Sequence, residues 1–99
     1  MIAFVRVASI MPGKQAAAMA FAKEISAFLK QSQHLDLEVL IPVGGNPHRI
    51  AWSTRYADMA AMDATSTRML ADPKYLALLA GAAECFIAGS VHDAIWRTT

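Results

Sequence analysis

Most of the signatures by which a short chain declares its chemistry are missing from these 99 residues. A single cysteine, Cys85, excludes an internal disulfide and a cysteine-based metal cage. Charged residues make up 17% of the chain against a usual ~25%, and the net charge of +1 is spread without runs of either sign. A protein that holds nucleic acid by neutralising phosphates needs a basic stripe, and one that holds a membrane surface needs a polybasic cluster; the sequence has neither. Its apolar runs are short, broken by Lys, Glu, Asp, Arg and Pro, and none approaches the ~20 residues that span a bilayer. Met1-Ile2-Ala3-Phe4-Val5-Arg6 does not read as a secretory leader. The expectation is a cytoplasmic protein with neither nucleic acid nor membrane as a partner.

Familiar reaction motifs are absent too. There is no Gly-x-Ser-x-Gly elbow, Walker loop or dinucleotide glycine fingerprint; Gly44-Gly45 lacks a following Lys-Ser or Lys-Thr. His34, His48 and His92 fall in separate segments without the i, i+4 spacing of a helical zinc site, so no metal is expected. Cys85 is flanked by apolar residues near a helix end, the setting of an inert buried thiol. Nothing calls for a cofactor.

What the chain does have is apolar side chain, at 56% of its residues. A domain of this size buries a smaller fraction of its surface than a large one, so some of that material needs a partner to cover it, and a homodimer is the economical expectation.

The order of elements follows from periodicity and breakers, in one domain over 1–99. Ile2 to Ile10 reads as a strand stopped by Pro12-Gly13, with Ile2, Phe4, Arg6, Ala8 and Ile10 on one face and Ala3, Val5, Val7 and Ser9 on the other. Gly13 to Lys30 has no internal Pro or Gly, and Ala18, Phe21, Ile25, Phe28 and Leu29 recur at helical spacing. Leu37 to Val43 and Arg49 to Tyr56 form two strands joined by the turn residues Gly44-Gly45-Asn46-Pro47. Asp58 to Leu70 is helical; Asp72 as a cap and Pro73 as a first residue restart a helix that should run to about Phe86. Ala88 to Arg97 closes the chain as a strand, with Ser90, His92, Ala94 and Trp96 alternating against Val91, Asp93 and Ile95. The resulting β-α-β-β-α-β order predicts an α+β, ferredoxin-like domain: an antiparallel four-stranded sheet with helices on one face. The uncovered face would pair with a second copy to close a dimeric α+β barrel.

Met11-Pro12-Gly13-Lys14 after an arginine-bearing strand, Gly45-Asn46 before a strand ending in Tyr56, and Arg68-Met69-Leu70-Ala71-Asp72-Pro73-Lys74-Tyr75 together resemble the NIPSNAP-like branch of the dimeric α+β barrel superfamily. The likeness covers almost the whole chain in element order. It implies a homodimer with a pocket between each sheet and its own helices, and Arg6 and Tyr56 match the first-strand arginine and third-strand tyrosine of the pattern. The pattern's acidic residue two before that arginine is Phe4 here, its following tyrosine is Ala8, and its aromatic after Asp-Pro is Tyr75 instead of Trp. Such proteins share no single agreed activity, so the resemblance implies fold and dimer more than chemistry.

The candidate pocket residues are Arg6, Trp52, Tyr56, His92, Met59, Met62 and Trp96. Arg6 has Phe4 and Ala8 on its own face, and an unpaired charge among apolar groups is costly. Either a carboxylate of the chain (Asp93, Asp58 or Glu38) pairs with it, or a ligand anion reaches it. Trp52, Tyr56 and Trp96 with Met59 and Met62 suit either an ordinary core or the wall of a flat pocket for an apolar or aromatic ligand. His92, mid-strand, is either bonded to a neighbour or placed to take a proton from a substrate. Three functional readings stay open: a small-molecule binding protein; a cofactor-independent monooxygenase or isomerase of the antibiotic-biosynthesis type, with His92 as base and Arg6 steadying the anion, acting on an aromatic or polyketide-like compound; and a purely structural dimerisation module.

Overall fold

A computed structural model describes all 99 residues. Strand β1 (Ile2–Ser9) leads through a turn to helix α1 (Gln15–Gln33), strand β2 (Glu38–Leu40), strand β3 (Arg49–Tyr56), helix α2 (Met59–Leu70), helix α3 (Pro73–Gly81), a 3-10 turn (Ala83–Cys85) and strand β4 (His92–Arg97). The four strands lie in the order β2-β3-β1-β4, antiparallel throughout. This is the α+β ferredoxin-like arrangement that the sequence pattern predicts.

Local chemistry explains the boundaries. Gly13 takes φ +82°, a left-handed conformation that costs glycine little, and the Lys14 N–H closes the turn on the Met11 carbonyl at 3.0 Å. Helix α1 runs three residues past the expected Lys30, because Gln31-Ser32-Gln33 contains no breaker; it stops where His34 turns left-handed and its N–H bonds back to Leu29. The β2 strand is shorter than expected. Pro42 has no N–H to give a ladder, and at the other end the Leu37 and Asp36 carbonyls are taken by the hydroxyls of Ser26 and Thr54, each at 2.8 Å. Asp58 and Asp72 cap α2 and α3, accepting from Ala61 N–H at 2.8 Å and Lys74 N–H at 2.9 Å.

The largest departure follows α3. The helix ends at Gly81 and does not reach Phe86; after the 3-10 turn the chain becomes extended at Phe86 and bonds to the end of β1, Met11 N–H to the Cys85 carbonyl at 2.8 Å and Ile87 N–H to the Ser9 carbonyl at 2.9 Å. Residues 88–91 are likewise not strand. Gly89 bends the chain at φ +77°, and the Ser90 hydroxyl donates to the Ile87 carbonyl at 2.6 Å while accepting from Ser9 N–H at 3.1 Å.

The core lies between the helices and one sheet face, where Ile2, Ala8, Ile50, Trp52 and Tyr56 meet Ala18, Ala22, Ile25 and Leu29 of α1. The other sheet face has no covering element. Ala3, Val5 and Val7 of β1, Ala51 of β3 and Ala94 of β4 are only partly buried there, and Trp96 is 65% exposed. Of the 16 buried residues 14 are hydrophobic, so many of the chain's apolar residues are only partly buried or exposed. Ile50, 1% exposed, is the most deeply enclosed large side chain, so Ile50→Ala is expected to lower the unfolding free energy by about 2–5 kcal/mol, read from the urea midpoint at unchanged slope.

Candidate functional site

Between the helix-facing side of the sheet and the helices lies a cavity of about 380 Å³, at the small end of the ~300–1,000 Å³ usual for small-molecule sites. Alternation along β1 and β3 aims Phe4, Arg6, Trp52 and Tyr56 into it; Phe21 comes from α1, and Tyr75 from the first turn of α3, whose position Asp72 and Pro73 set. The bent segment after Cys85 supplies Phe86, Ile87 and Val91. Eighteen of the 21 lining residues are hydrophobic. Six of the chain's eight aromatic residues are there: Phe4, Phe21, Trp52, Tyr56, Tyr75 and Phe86. Phe21, Trp52 and Phe86 form an edge-to-face triangle with centroids 5.8 to 6.2 Å apart, the geometry that the ring quadrupole favours.

The polar pole of this cavity is Arg6. Its Nε and Nη2 donate to Oδ1 and Oδ2 of Asp93 at 2.7 and 2.9 Å, a two-point bond between residues directly opposite each other on β1 and β4. The guanidinium also lies 5.6 Å from the centre of the Phe4 ring. The bond from Asp93 holds the Arg6 proton more firmly, against burial, and the nearby Tyr75 hydroxyl adds to it, although no hydrogen bond of ordinary geometry joins Tyr75 to the guanidinium. In return the Arg6 bond keeps the Asp93 carboxyl below its ordinary range. Burial, first, and then the neighbouring Tyr75 push the Tyr56 phenol upward while Arg6 opposes them, so Tyr56 remains a neutral donor. No side-chain hydrogen bond of the chain uses the hydroxyl of Tyr56 or Tyr75. The Trp52 indole Nε1, in a side chain 93% buried by its 7% exposure, has no partner either.

Of the residues singled out in the sequence, the cavity gathers Arg6, Trp52 and Tyr56. Four others lie elsewhere. The register pairs Val7 with His92 and Ala3 with Trp96, which puts both on the uncovered face, opposite Arg6. The oxygenase arrangement built on Arg6 and His92 acting on one molecule therefore fails within the chain. Met59 and Met62 of α2 do not line the cavity; Met69, from the last turn of that helix, does. Of the three carboxylates offered for Arg6, Asp93 is the partner. In the sequence Phe21 reads as a helix stripe residue, Tyr75 as the aromatic after Asp-Pro and Phe86 as the end of a helix, and for Phe86 no local signal marks the bridge to Ile10 that turns it inward. No cluster of His, Cys, Asp and Glu is grouped to hold a metal ion, and no helix is long and apolar enough to cross a membrane.

Because the folded Asp93 ionises more readily than its ordinary value of 3.8, the pair stabilises the fold above that pH and the contribution is lost as pH falls through the lower folded value. With the two side chains 40% and 37% exposed, screening keeps the effect small. Asp93→Asn is expected to lower stability by up to about 1 kcal/mol at neutral pH, and the difference from the parent protein to shrink below about pH 4 in urea titrations.

No protein-family model matches the sequence, and no curated protein matches it significantly. Solved structures match closely in shape. A NIPSNAP domain protein from Burkholderia xenovorans superposes with a TM-score of 0.84 at 16% identity, covering 100% of this chain and 95% of that one. A NIPSNAP family protein of unknown function from Agrobacterium tumefaciens gives 0.81 at 17%, over 99% and 87% of the two chains. A Nitrosomonas europaea protein proposed as an antibiotic biosynthesis monooxygenase gives 0.76 at 15%, over 99% and 98%. At these identities the likeness establishes the fold: the chain has the ferredoxin-like α+β architecture that NIPSNAP proteins share with proteins of the antibiotic-biosynthesis monooxygenase type.

Proposed function

We propose that this chain is a NIPSNAP-like protein that binds a small, flat, largely apolar aromatic molecule in the cavity between its sheet and helices, and that a second copy covers its open sheet face. The observation that carries the reading is the convergence of six of eight aromatic side chains on one 380 Å³ cavity. Rings in that setting give a planar ligand edge and face contacts, while Arg6, Tyr56 and Tyr75 offer donors to a polar substituent. Binding is favoured over acid-base catalysis because neither a carboxylate nor an imidazole lines the cavity. Its titratable side chains are Arg6 and two phenols; Arg6 and Tyr56 both hold their protons more firmly than usual, the opposite of what a general base needs.

Dimerisation is supported by the uncovered sheet face, where Val5, Val7, Ala94 and Trp96 stand on the neighbouring strands β1 and β4, with the polar Ser53, Arg55 and His92 beside them. Val5 stands at its centre, opposite Ser53 on one side and Ala94 on the other.

Calorimetric titration with 2-acetylnaphthalene, an uncharged two-ring ketone, is expected to show one molecule bound per chain. Leu79→Trp, which fills the cavity, should weaken binding at least about tenfold, and His92→Ala should leave it unchanged. Absence of binding by the parent protein, or full retention in Leu79→Trp, overturns the reading. In sedimentation equilibrium the parent protein is expected as a dimer and Val5→Glu as a folded monomer, since a carboxylate buried between two sheets without a partner is strongly disfavoured; a monomeric parent refutes the pairing.

A further inference from the structure

A guanidinium carries five N–H donors in a fixed plane. Asp93 takes the Nε proton and one Nη2 proton, which leaves both Nη1 protons and the second Nη2 proton of Arg6 for another acceptor. Arg6 lines the cavity and Asp93 does not, so the carboxylate compensates the charge from outside while donors remain free on the guanidinium. The polar pole is therefore rich in donors and close to neutral overall. An arginine free of a carboxylate would be an anion anchor; this one is arranged otherwise.

Granting that the cavity binds an aromatic molecule, we infer that Asp93 makes it select neutral hydrogen-bond acceptors, such as a ketone or ester carbonyl on the ring system, and discriminate against the matching carboxylates. A carbonyl oxygen can take the free Arg6 protons, or those of Tyr56 and Tyr75, with little loss of hydration. A carboxylate in the same place is attracted by Arg6 but repelled by Asp93 just beyond it. Since the Coulomb energy falls as the inverse of distance, a repelling charge about twice as far away cancels roughly half of the attraction. The remainder must offset the hydration that an ion gives up on entering a wall that is 18 parts in 21 apolar. Asp93 stays ionised at neutral pH, held so by the Arg6 bond, and the repulsion is constant over the physiological range.

The test compares two ligands of nearly equal shape, 2-acetylnaphthalene and 2-naphthoate, by calorimetry at neutral pH on the parent protein, Asp93→Asn and Asp93→Glu. The parent is expected to bind the ketone at least about tenfold more tightly than naphthoate. Asp93→Asn, which removes the charge and keeps the shape, should cut that ratio at least about fivefold through tighter naphthoate binding. Asp93→Glu, which keeps the charge, should hold the ratio near that of the parent. If the parent binds both compounds equally or prefers naphthoate, or if the ratio is the same in Asp93→Asn, the inference is overturned while the binding function stands. If the parent binds neither, the binding function fails and the inference falls with it.

Discussion

The bond between Arg6 and Asp93 is modest in energy, yet it stands where the register of β4 and the polar end of the cavity meet. A charge in the middle of β1, on the side that faces the helices, has to be matched, and Asp93 matches it from the adjacent strand. The match fixes more than a local contact. With Arg6 opposite Asp93, every side chain of β4 is assigned to a face, since a shift of one residue would turn the whole strand over. In that register His92 and Trp96 lie on the open face, and Arg6 is the polar end of an apolar cavity.

Much of the fold was legible because the signals were local. Pro12-Gly13, the cap Asp72, and the alternation of Ile50, Trp52, Thr54 and Tyr56 are each written within a few residues, and the structure follows them. The face of β4 was not legible. Ala94 and Trp96 on one side and Val91 and Ile95 on the other are equally apolar, so hydrophobic pattern cannot tell which side meets the helices; only the charge partner of Arg6, named among three possibilities, carries that information. Phe86 failed for a different reason. Its helical spacing is genuine, but pairing of Cys85 to Ile87 with the end of β1 is a contact across some 75 residues, and tertiary contacts override propensity.

The same partition holds for the site. Arg6, Trp52 and Tyr56 could be found because strand alternation marks them as inward residues on neighbouring strands. The methionines of α2 could not be sorted in that way. Met59, Met62 and Met69 recur at helical spacing along α2, and of the three only Met69, in its last turn, lines the cavity. Fold likeness to NIPSNAP proteins adds the frame and leaves the chemistry to the side chains: Phe4 and Ala8, the residues on either side of Arg6 on its own face of β1, are apolar and line the cavity with it.

The Arg6 to Asp93 bond joins residues 87 positions apart. During synthesis β1 leaves the ribosome before β4, so the arginine waits without its partner while the segments between them are made. Closing so long a loop is the slow kind of step in folding, and the central strand of the sheet has only β3 beside it until then. A nascent chain in that state exposes an unpaired β1 edge along Ile2 to Ser9. The arginine at mid-strand keeps that edge from being uniformly apolar while it stands open.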